Sequence, residues 1–538
     1  MKAKQTFLQR ATTAAKYLTY TAARVTTPVF SVMFGSGISR SRAHEGAAFN
    51  RSNRYWFPTR TSPDIENYYD LPTLRDRSRD LYRNNTIGRG ALRVVSTNVI
   101  GRGLSCQPMI DNEFLGMTDE ETEVWQNNTQ RLYEQFEKDC DAAKSLHMTQ
   151  IQKLAYLTWK MAGETFVSLP MIVRKDSLFA LRIKLIDPDL VYNPIGTLDS
   201  AATRNGIEVD ENEVPTAYNI YDWDGNCKTY PAFGKKTGRR NILHIFRPER
   251  PGQSRGVPML SPVINSIKQL GNYKESEITA AVVSSLYTVF IKSNRPDALE
   301  TPYPQTAKYS EPTNESQKSN YDYIMGPGAI NRLDSDEDIS FANPTRPNSG
   351  YEGFVNAILK EIGMALEIPY EILTKQFYSS YSASRGAKLE FWKFVMSERE
   401  DFADMFCQPI YEEWLTEQVT IGRIDAPGFL TNPERRAEWV KCLWRGESMG
   451  QIDEVKEILA SQMRIQSGFS TYSEETANMN GGNFEKNARK LRREKDLIGF
   501  AAMPPGSVPV KEVNQTAIDQ AAADAITTAL KITDEAAA

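Results

Sequence analysis

The sequence predicts an α+β protein of several domains, mixed in its first half and almost wholly helical in its second. Three observations carry this. The 538 residues exceed one compact domain, since domains hold roughly 100–200 residues. Short β-rich runs separated by turn formers crowd into 166–247, whereas 3.6-period apolar stripes occupy 262–291, 354–366 and 392–414. The composition, 40% apolar and 25% charged, excludes wholesale disorder and collagen-like fibres. No run of about 18 uncharged apolar residues occurs, so no membrane-spanning helix is expected.

Charge and cysteine usage narrow the function classes. The net charge of −4 arises from 64 basic and 68 acidic residues. A protein that grips nucleic acid over a wide surface normally carries a basic excess, and this one does not. Residues 1–50 hold seven Lys or Arg against Glu45 alone, about +6, which leaves about −10 for the rest. That composition suits an organelle transit peptide or a flexible basic arm. The five cysteines, Cys106, Cys140, Cys227, Cys407 and Cys442, form no C-x-x-C pair, which suits a reducing compartment.

The elements follow in order. Helical periodicity begins near Leu74 and runs through the Arg-rich 75–83. The hexapeptide 85–90 (NTIGRG) is echoed at 98–103 (NVIGRG), and both copies read as helix C-caps with left-handed glycine. Residues 120–165 read as two helices. Runs 166–169, 180–186, 217–221 and 241–246 read as strands, with a turn at Asp224-Gly225-Asn226. Ser261-Pro262 marks the start of a helix of about 30 residues with Val263, Ile267, Leu270, Ile278, Val282 and Leu286 on one stripe. A turn-rich excursion, 293–349, contains an acidic knot at Asp334, Asp336, Glu337 and Asp338. A helix through Phe354, Ile358, Ile362 and Leu366 stops at Pro369. Residues 374–389 hold Lys375, Arg385 and Lys388 and no acid. The next helix carries Trp392, Met396, Phe402, Phe406, Ile410 and Trp414, with a kink expected at Pro409. After a break at 425–428, residues 433–498 read as helical and charged, and the Ala-rich end as a partly disordered tail.

Tests for enzyme chemistry fail one by one. Gly234-Lys235 lacks the rest of a phosphate loop, and no complete G-x-G-x-x-G occurs. His44, His147 and His244 lie far apart, so no metal ligands stand at ligand spacing. Gly252-Gln-Ser254-Arg-Gly256 fits G-x-S-x-G, but Pro248 and Pro251 interrupt the required strand and no histidine follows His244. The run at 334–338 lacks the glycine and glutamate of a calcium loop. Asp187-Pro-Asp189 reads as a strand-ending turn. No catalytic residue, metal or cofactor is assigned.

The sequence resembles the lambda-type portal proteins of tailed bacteriophages. The resemblance rests on Arg77-x-Arg79-Asp80-Leu-x-Arg83-Asn84-Asn85, Ile100-Gly101-x-Gly103, Gly163-Glu164-x-Phe166, Ile186-Asp-Pro-Asp189, Gly206-Ile-Glu208, His244-x-Phe246 and Arg250-Pro-Gly-Gln-x-Arg255-Gly-Val-Pro258. It continues through Glu277-Ile-x-Ala280-Ala281, Ile368-Pro-Tyr370, Tyr381-Ser-x-Ser384-Arg385, Asp453-x-x-Lys456-Glu457 and Arg464-x-x-x-Gly468, so it spans about 50–490. No single piece is specific; their number and order are.

What the resemblance implies is a portal fold. Its parts would be a basic arm (1–50), an α+β wing (51–258), a stem helix (259–292), a clip (293–350), a second stem helix (351–369), a channel loop (370–389), a kinked wing helix (390–432), an α-helical crown (433–498) and an acidic Ala-rich tail (499–538). The implied assembly is a ring, usually of twelve subunits, at one capsid vertex of the virion, built in the host bacterial cytoplasm. Double-stranded DNA would pass through it during packaging and ejection. Other implied partners are the terminase large subunit, major capsid and scaffolding proteins, and head–tail connector proteins, with no membrane. The DNA-facing residues would be Lys375, Gln376, Tyr378, Ser379, Ser380, Tyr381, Arg385 and Lys388. The motor-docking residues would be Asp334, Asp336, Glu337 and Asp338. Two rivals remain: another structural head protein, and a nucleic-acid-processing enzyme without a recognisable motif.

Overall fold

The computed structural model describes residues 55–500 except 57, 59, 201, 287–289, 294–336, 341–349, 378–379, 451–453, 481 and 483. The chain divides into two units, 1–61 and 62–538. The described part of the first is a short irregular stretch. The second is mixed helix and sheet.

It opens with α1 (Pro63–Asn84), well before Leu74, because Ser62 caps it and proline occupies its first position. Helix α2 (Thr86–Val99) follows at once: the Asn85 side chain accepts from the amides of Ile87 and Gly88. The first hexapeptide therefore starts a helix: Asn85 caps the end of α1 in an extended conformation and the start of α2 at once, and no left-handed glycine is involved. Its Gly88 sits inside α2, where a Cβ would meet that of Leu81 at 3.1 Å, so glycine lets the two helices cross closely. The second copy does end a helix, with Gly101 at φ +53°.

Strand β1 (Ser105–Pro108), a short α3 (Asn112–Leu115), α4 (Asp119–Lys138) and α5 (Met148–Ala162) come next. The last two match the pair expected over 120–165. Thr118 and Glu121 form a reciprocal capping box on α4. Then β2 (Thr165–Ser168), β3 (Lys184–Ile186), β4 (Thr203–Arg204), β5 (Ile207–Val209), β6 (Pro215–Tyr221), β7 (Cys227–Pro231) and β8 (Ile242–Ile245) form two antiparallel sheets, ordered β3-β2-β8 and β4-β5-β6-β7. A small core lies between them: Phe166, Ile186, Val191, Ile207, Val209, Tyr218, Ile220, Ala232 and Ile242.

Ser261–Val263 is one 3₁₀ turn, without a side-chain cap, leading into α6 (Ile264–Leu286). Ser261 therefore is not the N-cap, and the single helix expected over 259–292 is shorter, with β9 (Phe290–Ser293) after it. Strand β9 pairs antiparallel with β10 (Glu337–Ser340), closing the excursion at its base. Helix α7 (Tyr351–Ala365) returns beside α6, with Tyr273 stacked on Tyr351 at 5.7 Å and edge-on to Phe354 at 5.0 Å.

After α8 (Tyr370–Thr374), α9 (Tyr381–Phe402) runs through one π turn, Ala403–Cys407, into α10 (Gln408–Thr420). The irregularity falls where Pro409 has no N–H to return to the preceding turn. Phe402, Phe406, Ile410 and Trp414 are all fully buried, against Tyr133, Phe136, Tyr156 and Trp159 from α4 and α5. At roughly 1.5–3 kcal/mol per large apolar side chain, this seam joins the two halves of the sequence.

The helical run expected over 433–498 is interrupted. Helix α11 (Pro433–Trp439) packs Trp439 on Trp125, and β11 (Cys442–Arg445) pairs antiparallel with β1. Only then come α12 (Glu454–Gln466), α13 (Tyr472–Asn480) and α14 (Phe484–Phe500). Arg464, with Ser461 on the same carboxylate, holds the Glu475 carboxyl down to about 2.

Candidate functional site

Two polar constellations stand out, one buried and one exposed. The buried one begins with α1, whose Arg75, Ser78 and Arg79 lie one helical turn apart on a single face. Ser78 Oγ donates to the Met161 carbonyl at 2.6 Å, and Arg75 Nε to that of Ala162 at 3.1 Å. Both carbonyls close the C-terminal end of α5. Gly163 then turns the chain at φ +90°, and Glu164 enters the core with no exposed surface.

Four groups converge on the Glu164 carboxylate. Arg75 Nη2 pairs with it, Arg255 Nε donates at 2.7 Å, the His244 Nε2 stands at 2.8 Å, and the Gly256 amide donates at 3.1 Å. Burial alone would push this carboxyl up, but Arg255, Arg75 and His244 together hold it well below the usual carboxylate range. Burial pushes the imidazole down, so His244 sits neutral and offers an N–H to Glu164. The ring lies between Phe166, at 4.2 Å, and Phe246, at 4.3 Å. Arg255 also donates to the carbonyls of Val191 at 2.9 Å and Pro188 at 3.2 Å. Outside them Arg79 pairs with Asp187, at 2.7 Å, and Asp189. Three arginines face three carboxylates, so the cluster is neutral as a whole.

Backbone contact makes this possible. A Cβ on Gly256 would lie 2.0 Å from the Gly163 carbonyl oxygen, and one on Gly163 2.5 Å from that of Gly256. No side chain fits there. The G-x-S-x-G segment serves the same junction: Ser254 Oγ donates to Asp64 at 2.9 Å, and Ser254 lies in an irregular stretch just past the turn at 251–252, not on a strand-to-helix elbow.

The cluster explains what scattered sequence matches had in common. Arg79, Gly163-Glu164-x-Phe166, Asp187-Pro-Asp189, His244-x-Phe246 and Arg255-Gly256 were separate pieces in the sequence, and they meet at one point in space. Arg75 was not singled out. The available signal was two ionisable residues, Glu164 and His244, beside strands that otherwise read apolar. Nothing in the arrangement offers a nucleophile beside a base. Among the described residues, no group of three or more His, Cys, Asp or Glu is placed to hold a metal ion.

Comparison with known proteins decides the family. Residues 49–399 match the family described as "Phage portal protein, lambda family". This chain belongs to that family. The portal protein B of Escherichia phage lambda is 22% identical over 510 residues, covering 89% of this chain and 95% of the relative. The portal protein of Escherichia phage N15 is 22% identical over 485 residues, covering 86% and 91%. Neither relative carries an enzymatic name. Among solved structures, the neck of a native GTA particle computed with C12 symmetry aligns at 12% identity and a TM-score of 0.41. That alignment covers 69% of this chain and 93% of that one. The neck of an empty GTA particle computed with C6 symmetry aligns at 12% and 0.44, covering 76% and 92%.

The exposed constellation of this portal chain lies between α7 and α9. Helix α7 ends with Glu367 at φ +56° and the Ile368 amide returning to the Gly363 carbonyl at 2.9 Å. Ile368 is buried, and Pro369 opens α8, which ends with Lys375 also at φ +56°. Lys375, Gln376 and Phe377 are exposed. Ser380 caps α9 by accepting the Ala383 amide. Within 370–389, residues 370–374 and 381–389 are helical, the second run starting where Ser380 caps it. Arg385 and Lys388 stand on α9: Arg385 lies 3.8 Å from Glu457, and Lys388 sits 5.6 Å from the centroid of Phe377. Tyr381 is the first residue of α9. Tyr378 and Ser379 lie outside the described residues, as do Asp334 and Asp336; Glu337 and Asp338 begin β10.

Proposed function

We propose that this portal chain forms a ring of about twelve subunits at one capsid vertex. In this reading the ring is the conduit for double-stranded DNA in packaging and ejection. It is also the platform for the terminase large subunit and head–tail connector proteins, joined to major capsid and scaffolding proteins and assembled in the host cytoplasm. The observation that carries the reading is the hairpin of α6 and α7. Its roots are buried, at Val263, Ile267, Leu270 and Ile362, yet farther along Ile278 is 66% and Phe354 51% exposed. One subunit does not cover that surface, and neighbouring copies around an axis would.

The excursion between the two helices serves in this reading as the motor-docking clip, and Lys375–Ser380, with Arg385 and Lys388 behind it, faces the DNA. Few basic positions suit such a conduit. Phosphate affinity comes mostly from Lys and Arg through released counterions, and every tight contact would have to break as the genome slides. Electron microscopy with mass measurement of the purified protein tests the reading. A ring with an open axis is expected; a stable monomer under all conditions overturns it. Deleting Pro304–Asn343 and closing the gap should abolish motor binding in a ring that still assembles.

A further inference from the structure

Strands β1 and β11 bring together two cysteines 336 residues apart in sequence, with Cys106 Sγ and Cys442 Sγ 2.6 Å apart. Cys442 lies opposite Pro108 and Cys106 opposite Trp444, so the two thiols sit diagonally across the ribbon. Ideal diagonal neighbours lie beyond ordinary disulfide reach, but here the two sulfurs already approach to 2.6 Å, and among the described residues the ribbon has two strands and joins no larger sheet, so it can tilt to close the remainder. Cys106 is buried, while Cys442 is half-buried and so open to a small oxidant. A third thiol, Cys407, is buried beside the Gln152 amide.

We propose that Cys106 and Cys442 are an oxidation site, closing to a disulfide when the assembled particle leaves a reducing cell for oxidising surroundings. Cytoplasm keeps thiols reduced, and extracellular conditions do not. With a hydroperoxide as oxidant, the Cys442 thiolate attacks one peroxide oxygen. The O–O bond breaks, the departing hydroxide takes a proton, and Cys442 is left as a sulfenic acid. The Cys106 sulfur then attacks the Cys442 sulfur, the S–O bond breaks, and the oxygen leaves as water with the Cys106 proton. Two thiols lose two electrons and hydrogen peroxide becomes two waters. The bond would fasten β11, from which α12–α14 continue, to β1 in the body, and it stands independently of ring number or motor docking.

The test uses the full-length assembled protein treated with dilute hydrogen peroxide, then denatured with free thiols blocked. Thiol titration should fall by two from the five cysteines. Peptide mapping without reductant should join the peptide of Cys106 to that of Cys442 within one chain. The oxidised protein should also melt several degrees above the reduced one, a difference lost in Cys442→Ala. Retention of five thiols, a bond to Cys407 or between chains, or an unchanged melting temperature overturns the proposal. Should Cys442→Ala fail to fold, mapping of the unmodified sequence decides alone.

Discussion

The Glu164 cluster and the Lys375 segment use the same residue types to opposite ends. Arg75 and Arg255 are 5% and 1% exposed, and each of their side-chain nitrogens meets an acceptor. In the segment Lys375 is exposed, and the ion pair of Arg385 is 3.8 Å long. A charge taken out of water is costly unless its pairing is complete, so a fully paired arginine is committed to architecture. An exposed ammonium keeps its water and stays available to whatever passes. Location and pairing, more than the number of basic residues, separate a committed charge from an available one.

The contrast breaks first at Glu164. Glu164→Gln keeps the shape but leaves Arg75 and Arg255 without their shared counter-charge. A loss of about 3–5 kcal/mol is expected in urea unfolding. A cost below about 1 kcal/mol would mean the cluster does not hold the body together.

Acid should sharpen the same contrast. Both Glu164 and His244 have folded-state pKa values below the ordinary 4.5 and 6.5, so the unfolded chain binds more protons. Stability is then highest above about 6.5, falls as pH drops through 6.5 on account of His244, and falls again below 4.5 on account of Glu164. His244→Gln keeps an N–H for Glu164 and should flatten the first step. Urea midpoints at pH 7.5 and 5.5 for both proteins check this, and equal slopes would remove His244 from the account.

In the exposed segment, Lys375→Glu with Lys388→Glu should cost no more than about 1 kcal/mol, mostly from the Lys388–Phe377 contact. Ring assembly should be normal and DNA packaging lost, since like charges add around a narrow channel. Normal packaging by this variant would place the segment away from DNA.

The smallest effect belongs to Glu367, exposed and left-handed where a helix C-terminus favours glycine. Glu367→Gly should stabilise by at most about 1 kcal/mol, the relief of left-handed strain being offset by a more flexible unfolded chain. Thermal unfolding checks it, and a destabilised variant would point to a contact of the Glu367 side chain.

Much of the body was legible because its signals are local. Capping residues, 3.6-period stripes and turn formers act within about four residues, so α4, α5, the β6–β7 turn at Gly225 and the irregularity before Pro409 follow from sequence. The segment around Lys375 was legible as a basic, acid-free run, but not as two helices, one ending at Thr374 and the other starting at Tyr381. The two hexapeptides show where local reading stops. One starts a helix and the other ends one, because Asn85 follows directly on α1 and its side chain takes up the first amides of α2, while Asn98 is already inside that helix.

By itself, the sequence determined the mixed class, the succession of most helices and strands, and membership of the lambda portal family through the order of its short matches. Only the tertiary structure decided that Arg75, Glu164, His244 and Arg255 are one object, that β11 pairs with β1 from the other end of the chain, and that Cys106 meets Cys442 across 336 residues. The physical reason is range. Helix and turn propensities are set by neighbouring residues, whereas burial of a charge, pairing of a four-residue strand and contact of two thiols depend on partners that only folding brings near.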